Sequence, residues 1–305
     1  MKILLIGANG MLAHDLRAVL AEHGHEILPV THDAVDVCDR SSVMEVMQAY
    51  NPEVLINTAA VHPVEVCERE PERSFAVNAL ASRSLAQICK ELRCVLVHFS
   101  SDFVFDGKLA RPYREEDAVC PLNVYGASKS AGESFVRAIH PEHILIRCAS
   151  LFGIAGNRAK GCNFVELMLR KALKGESIRV VNDVRMSPTY TTDIAEQLVV
   201  LLEGSHFGTF HACNHGDYSW FEFARRIFEL KQIDADLKPI PHELAGWGGP
   251  RPLYSVLRNK RLEEMGLDRM RTTDEALESY LLERTTTPSH PAIGDYKGPT
   301  PVQAS

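Results

Sequence analysis

The chain has 305 residues, 45% hydrophobic and 24% charged, which is ordinary for a globular protein with room for one large or two modest domains. A net charge of −7 and a pI near 6.0 argue against nucleic acid or an anionic membrane as partner, and no apolar run approaches the ~18 residues of a membrane span. The apolar run behind Lys2 is too short for a signal peptide. The 8 cysteines, without a Cys-x-x-Cys pair, read as free thiols of a reducing cytosol, so a cytoplasmic location is expected.

Ile3-Leu4-Leu5-Ile6 reads as a first buried strand. It runs into Gly7-Ala8-Asn9-Gly10-Met11-Leu12-Ala13, a Gly-x-x-Gly-x-x-Ala turn opening a helix, as a dinucleotide pyrophosphate requires. Gly7, Asn9, Gly10, Met11 and Leu12 are therefore cofactor candidates. The helix spans Met11 to His23, with Leu12, Leu16, Val19 and Leu20 on one face. Glu26 to Val30 is a second strand, where Pro29 marks an edge or a strand end. Just past it stand Thr31 and His32. Neither is an acid for the ribose 2′-hydroxyl of NAD nor an Arg for the 2′-phosphate of NADP, so NADPH and NADH both stay open. Asp36-Val37 follows. Asp39 is placed to cap a helix from Ser41 to Tyr50. Val54 to Ile56 is a third strand, leading into Asn57-Thr58-Ala59-Ala60, where Ala59 and Ala60 let backbone lie close to a cofactor. Ser74 to Leu92 reads as one long amphipathic helix carrying Asn78.

Val95 to Phe99 is a further buried strand. It delivers Ser100-Ser101-Asp102 at its C-terminal end, where ligands of an open parallel sheet gather. Tyr125 and Lys129 follow, four residues apart on one helix face. A free phenol titrates near ~10, and a fixed positive charge beside it favours phenolate. Lys129 is expected to lower Tyr125 toward neutrality and make it a general acid or base. Glu133, one turn on, reads as structural. Ile144 to Arg147 is the next strand, 153–161 a flexible basic loop, Asn163 to Lys174 a helix, Ile178 to Val181 a strand and Thr192 to Leu202 a helix. Strands alternating with helices without internal repeats mean an α/β fold with a doubly wound parallel Rossmann sheet. The expected division is residues 1–150 and 178–202 for NAD(P), and 151–177 and 203–284 for a smaller, discontinuous α/β substrate region. Residues 285–305, rich in Pro, Thr, Ser and Gly, read as a disordered tail.

The glycine turn, the Ser101 strand end and the Tyr-x-x-x-Lys pair together resemble the extended short-chain dehydrogenase/reductase superfamily. That resemblance implies Ser101, Tyr125 and Lys129 as the catalytic set, Asp36 and Val37 beside the adenine, and Asn78 ordering the cofactor site. Ser-Ser-Asp-Phe-Val-Phe-Asp-Gly (100–107), Asn163-Phe164 with Met168-Leu169-Arg170, Ser187-Pro188-Thr189, Gly208-Thr209-Phe210-His211, Trp220-Phe221-Glu222-Phe223-Ala224 and Arg251-Pro252-Leu253-Tyr254-Ser255-Val256-Leu257 narrow it. Over the chain to about residue 284 these resemble the dTDP-4-dehydrorhamnose reductase family. The implied reaction is NAD(P)H-dependent reduction of the C4 ketone of a dTDP-4-dehydro-6-deoxyhexose, dTDP-4-dehydro-L-rhamnose or a related deoxysugar nucleotide, with a homodimer compatible.

His62, Ser101, Asp102, Phe103, Leu151, Asn163, Arg185 and Arg251 are the implied substrate-side residues. Arg185 and Arg251 suit the diphosphate by guanidinium–phosphate geometry. Leu151 stands where an aromatic is expected and Val184 where a Gln is expected, which points to a sugar with a different hydroxyl pattern. Asp15 matches a metal-bridged dimer position of some family members only loosely, and no metal is expected. Two rivals stand beside the reductase: a sugar-nucleotide epimerase, which would keep NAD bound without net oxidation, and a non-catalytic regulatory subunit similar to the beta subunit of methionine adenosyltransferase.

Overall fold

Residues 1–156 and 161–286 are described by a computed structural model, the last two through their backbone alone; the loop reading for 157–160 and the tail reading for 287–305 lie outside it. Apolar residues make β1 (Lys2–Ile6), buried beyond Lys2, which leaves through Gly7 into α1 (Met11–Glu22). The apolar stripe of α1 lies against the sheet. β2 (Glu26–Val30) follows, then α2 (Arg40–Tyr50), where the Asp39 carboxylate accepts from the Ser41 amide. β3 (Val54–Asn57) leads past a cis His62–Pro63 bond into α3 (Val64–Arg69) and α4 (Pro71–Phe75). A π-helical turn over Ala76–Ala81 precedes α5 (Ser82–Leu92). β4 (Val95–Ser101) ends in a 3-10 turn over Asp102–Val104, and α6 (Val124–Ile139) and β5 (His143–Cys148) come next.

Shorter strands mark the remainder. In order they are β6 (Leu151–Phe152), α7 (Phe164–Leu173), β7 (Ile178–Val181), β8 (Arg185–Met186), β9 (Thr189–Tyr190) and α8 (Thr191–Glu203). Then come β10 (Gly208–His211), β11 (Tyr218–Ser219), α9 (Trp220–Lys231), β12 (Leu237–Ile240), α10 (Lys260–Met265) and α11 (Thr273–Thr286).

The central sheet is parallel, in the order β10-β5-β4-β3-β1-β2. From β1 the chain turns one way to β2 and then crosses to β3 on the other side. The topological switch point, where open sheets bind ligands, therefore lies at the C-terminal ends of β1 and β3. One apolar layer joins Ile3, Leu5, Ile56 and Val97 to α1 and α8; the opposite layer joins Leu4, Ile6, Leu55 and Leu96 to α5 and α6. Pro29 lies on the outermost strand, as its missing N–H suggests. At the other edge Arg261 donates to the carbonyls of Thr209 and Phe207 at 3.1 and 2.8 Å and lies over the Phe210 ring. No helix among the described residues is long and apolar enough to cross a membrane.

Two sequence expectations need correction. The stretch from Ser74 to Leu92 is not one α-helix. Its π turn sets Asn78 toward Val61 and Ser128, and Ser82 Oγ donates to the Asn78 carbonyl. Nor does 178–202 belong together. β7 pairs with β12 in a separate sheet, and Ile178 and Val180 join a third core with Phe152, Val165, Phe223 and Tyr280, whereas α8 packs on α1. β10, from the stretch assigned to substrate, completes the central sheet. A short apolar run announces a strand; the sheet it joins is fixed by distant partners that local pattern does not name.

Glu133 on α6 and Arg147 on β5 form a buried pair, Arg147 Nε and Nη2 donating to the carboxylate at 2.9 and 2.7 Å. Removing one member leaves the other charge without compensation. Glu133→Gln is expected to lower unfolding free energy by about 3–5 kcal/mol in urea titration; a loss below about 1 kcal/mol would mean that the pair does not hold α6 to the sheet.

Candidate active site

Gly7 opens the site. Its φ is +81°, and a Cβ there would meet Thr58 Oγ1 at 2.7 Å and the Ala59 nitrogen at 2.9 Å. Any side chain would thus push the turn off the β3 end. α1 begins at Gly10 with no side-chain cap, which leaves first-turn amides for an anion at the switch point. Asn9 is exposed and Met11 half-buried, while the Leu12 side chain lies in the core, so only its backbone is available to a ligand. The Asp36 carboxylate accepts from the Cys38 amide at 2.9 Å, and Val37 is buried in the layer that covers β1 and β3. Ala59 and Ala60 are half-buried just beyond β3. These residues fit a dinucleotide at the sheet's C-terminal edge.

Ser101 ends β4. Its hydroxyl donates to Asp102 Oδ1 at 2.8 Å and accepts from the Phe103 amide at 3.2 Å. Tyr125 and Lys129 stand on α6, whose first turn is capped by Asn123 accepting from the Gly126 amide at 2.8 Å. A Cβ on Gly126 would lie 2.1 Å from the Phe103 carbonyl, so only glycine lets α6 press on the turn after Ser101. The Phe103 ring stands edge-on to Tyr125, centroids 5.9 Å apart. On the neighbouring strand Cys148 is in register with Ser101, and its thiol donates to the Ser100 carbonyl at 3.4 Å.

Burial dominates the electrostatics. It pushes the Asp102 carboxyl up to about 6, against the Ser255 and Ser101 hydroxyls, which pull it down. It pushes the Lys129 ammonium down to about 8, with Cys148 and Glu133 opposing. Burial also raises the Tyr125 phenol well above its ordinary range; Cys148 adds to this and the Ser101 hydroxyl works against it. The expectation that Lys129 brings Tyr125 toward neutrality is therefore not met, because loss of water around a phenolate dominates. Tyr125 keeps its proton at neutral pH, the state a proton donor needs.

Not every expected substrate or cofactor residue faces the site. Asp102 and Phe103 lie near Tyr125, and the Arg251 guanidinium is 5.9 Å from the Phe103 ring centre. His62 is exposed on the loop before α3. Arg185 is already neutralised: Nε and Nη2 donate to the Asp217 carboxylate and carbonyl at 2.6 and 2.7 Å, and Nη1 to Glu222 at 3.1 Å. Asn163 caps α7 through its oxygen, and its amide donates to the Gly153 carbonyl and the Tyr280 hydroxyl. Asn78 accepts from the Val61 amide and donates to the Val61 carbonyl and Ser128 Oγ. Its side chain holds the loop after β3 to α6 and is not free for a cofactor. Leu151 is half-buried against the core under α1 and α8, and Val184 is 4% exposed.

Three residues near the site escaped sequence reasoning. Cys148 shares its register position with Ser101, which only strand pairing reveals. Glu65 is ion-paired to Arg251, and Trp247 lies 4.9 Å from the Arg251 guanidinium. The Gly-Trp-Gly-Gly-Pro run at 246–250 was the available signal for a loop that carries an aromatic over a cleft.

The model of the RmlD substrate binding domain family matches residues 1–286. The chain is 36% identical over 285 residues to the spore coat polysaccharide biosynthesis protein SpsK of Bacillus subtilis, covering 93% of this chain and 98% of that one. It is 35% identical over 276 residues to the dTDP-4-keto-6-deoxy-D-glucose reductase of Streptomyces niveus, covering 90% and 94%. The solved dTDP-4-dehydrorhamnose reductase of Bacillus anthracis in complex with NADP is similar with a TM-score of 0.88 and 34% identity, over 92% of this chain and 99% of that one.

The Asp102 value has a consequence for stability. Lying above the ordinary carboxylate range, it makes the folded chain hold a proton that the unfolded chain releases between pH about 4 and about 6. Stability from this group falls as pH rises through that window, and the full penalty stands above it. Asp102→Asn has no charge to bury. It is expected to raise unfolding free energy on the order of 2–3 kcal/mol near neutral pH and to leave it unchanged near pH 4. Equal stability at both pH values in denaturant titration would contradict it.

Proposed function

The chain belongs to the dTDP-4-dehydrorhamnose reductase family, and from that premise we propose that it reduces the C4 ketone of a dTDP-4-dehydro-6-deoxyhexose, with Ser101, Tyr125 and Lys129 as the reacting set. The observation that supports this reading is that Ser101 ends β4 while Tyr125 and Lys129 stand one turn apart on α6, whose Gly126 presses on the turn after Ser101. The central sheet with its helices serves the dinucleotide, and the third core with its surrounding loops serves the sugar nucleotide. Free thiols at all cysteines suit a reducing, cytoplasmic setting.

NADPH or NADH, when bound, would supply the hydride that reduces the C4 carbon. As charge develops on the ketone oxygen, Tyr125 donates the phenolic proton that burial has retained. Ser101 turns its hydroxyl proton from Asp102 to the same oxygen, a placed dipole in a water-poor site. Lys129, protonated below about 8, holds the nicotinamide ribose and stabilises negative charge on Tyr125 after transfer. Phe103 packs on Tyr125 and fixes its ring.

The decisive assay follows NADPH and NADH absorbance with a panel of dTDP-4-keto-6-deoxyhexoses. Turnover is expected with at least one, and Tyr125→Phe should lose about 10²–10⁴ in rate while still binding cofactor. No absorbance change with any sugar, or near-full activity in the variant, overturns the assignment. Lys129 gives a second test. Its affinity contribution is full below about 8 and is lost as pH rises through that value. The Kd for NADH is therefore expected to stay level from pH 6.5 to 7.5 and to weaken by up to about tenfold per unit above 8, a slope absent in Lys129→Met. A level Kd up to pH 9.5 in the native chain would rule this role out.

A further inference from the structure

We propose that Glu65 is a built-in stand-in for the substrate's diphosphate: it pairs with Arg251 and yields it when a nucleoside-diphosphate sugar enters. The inference rests on the reductase reading and deepens it. Phe103 links Arg251 to the reacting residues: the guanidinium lies 5.9 Å from its ring centre, and the ring stands edge-on to Tyr125 at 5.9 Å. Trp247 lies 4.9 Å from the guanidinium. The two aromatic rings hold the cation and supply no countercharge.

The countercharge comes from Glu65, and incompletely. Arg251 Nη2 donates to Glu65 Oε1, but Nε is buried with no hydrogen-bond partner among the described residues. Arg114 Nε is likewise buried without a partner among the described residues, but three carboxylate-paired arginines engage their partners through two nitrogens. Arg147 grips Glu133 through Nε and Nη2, Arg284 grips Glu166 the same way, and Arg111 grips Asp117 through both terminal nitrogens. A guanidinium fork with a buried, unused Nε is suited to a bidentate oxyanion that the resting chain lacks.

Exposure sets the direction of exchange. The Glu65 side chain is 35% exposed and that of Arg251 only 16%, so the carboxylate returns to water at little cost while the guanidinium stays. The strap bearing Arg251 rests on α3, Gly248 facing Glu65 and Gly249 facing Val64 and Glu68, and Asn123 of the Tyr125 helix cap donates to the Pro250 carbonyl at 2.8 Å. Movement of Glu65 is thereby coupled to the strap and to the start of α6.

The test is dTDP binding by titration calorimetry to the full chain with NADP present, in the native protein, Glu65→Gln, Arg251→Met and the double variant. Glu65→Gln is expected to bind dTDP about three- to tenfold tighter, Arg251→Met at least about tenfold weaker, and the Glu65→Gln gain to vanish in the Arg251→Met background. A merely structural Glu65 gives no gain, and unchanged or weaker binding in Glu65→Gln overturns the inference, as does an equal gain without Arg251. If the Gln variant fails to fold, Glu65→Asp, with a shorter reach, must still bind dTDP more tightly than the native chain. A native chain that turns over a dTDP-4-keto sugar while neither variant gains affinity defeats this inference alone. One that neither binds dTDP nor oxidises NADPH defeats the reductase reading with it.

Discussion

Arg147 and Glu133 place opposite charges where neither has water, and the position of the reacting helix depends on their finding each other. Glu133 stands one turn beyond Lys129 on α6, and Arg147 immediately precedes Cys148 on β5. Because β5 is in register with β4, the pair sets Tyr125 and Lys129 against Ser101 as well. Its reach extends further. Arg147 Nη1 donates to the Glu115 carbonyl, and the Glu115 carboxylate receives the amides of His211 and Arg261. Burial and the Arg147 charge hold the His211 imidazole down at about 3, so it stays neutral and adds no second cation. A hydrophobic pair in the same place would pack as well, but it would not fix the helix rotation that aims the phenol.

The same reliance on burial runs through the site. Asp102, Tyr125 and Lys129 are all moved toward their neutral forms by loss of water. Burial thus retains protons on Asp102 and Tyr125 and loosens the one on Lys129. The proton retained on Tyr125 favours reduction, in which the phenol gives it up. The reverse reaction would need the phenolate first, and burial opposes it.

The fold and the placement of Ser101, Tyr125 and Lys129 were legible because their signals are local. Gly7 is demanded by a turn, Tyr125 and Lys129 by one helix face, and Ser101 by the end of a buried run. Pro29 named an edge correctly for the same reason. What was not legible is set by partners far along the chain. Arg185 and Arg251 look alike as guanidiniums in loops, yet Asp217 and Glu222 saturate the first, while the second keeps a nitrogen unused. Asn163 resembles a ligand-binding amide but is used as a helix cap, whereas Asn78, read as ordering the cofactor site, ties the loop after β3 to α6. Leu151 was read by position, and its side chain turns to the core. The phenol's protonation followed the same pattern: the nearby cation was visible in the sequence and the missing water was not.

The two ends of the central sheet bear on how the chain meets its own copies. An open parallel sheet presents unpaired backbone groups at each margin, a template on which another strand can add. Here the β2 margin contains a residue that cannot donate, and the β10 margin has two carbonyls occupied by Arg261 from α10. Both margins are thus poor starting points for cross-molecular strand addition. The chain can therefore reach high concentration without its central sheet seeding fibrous aggregates.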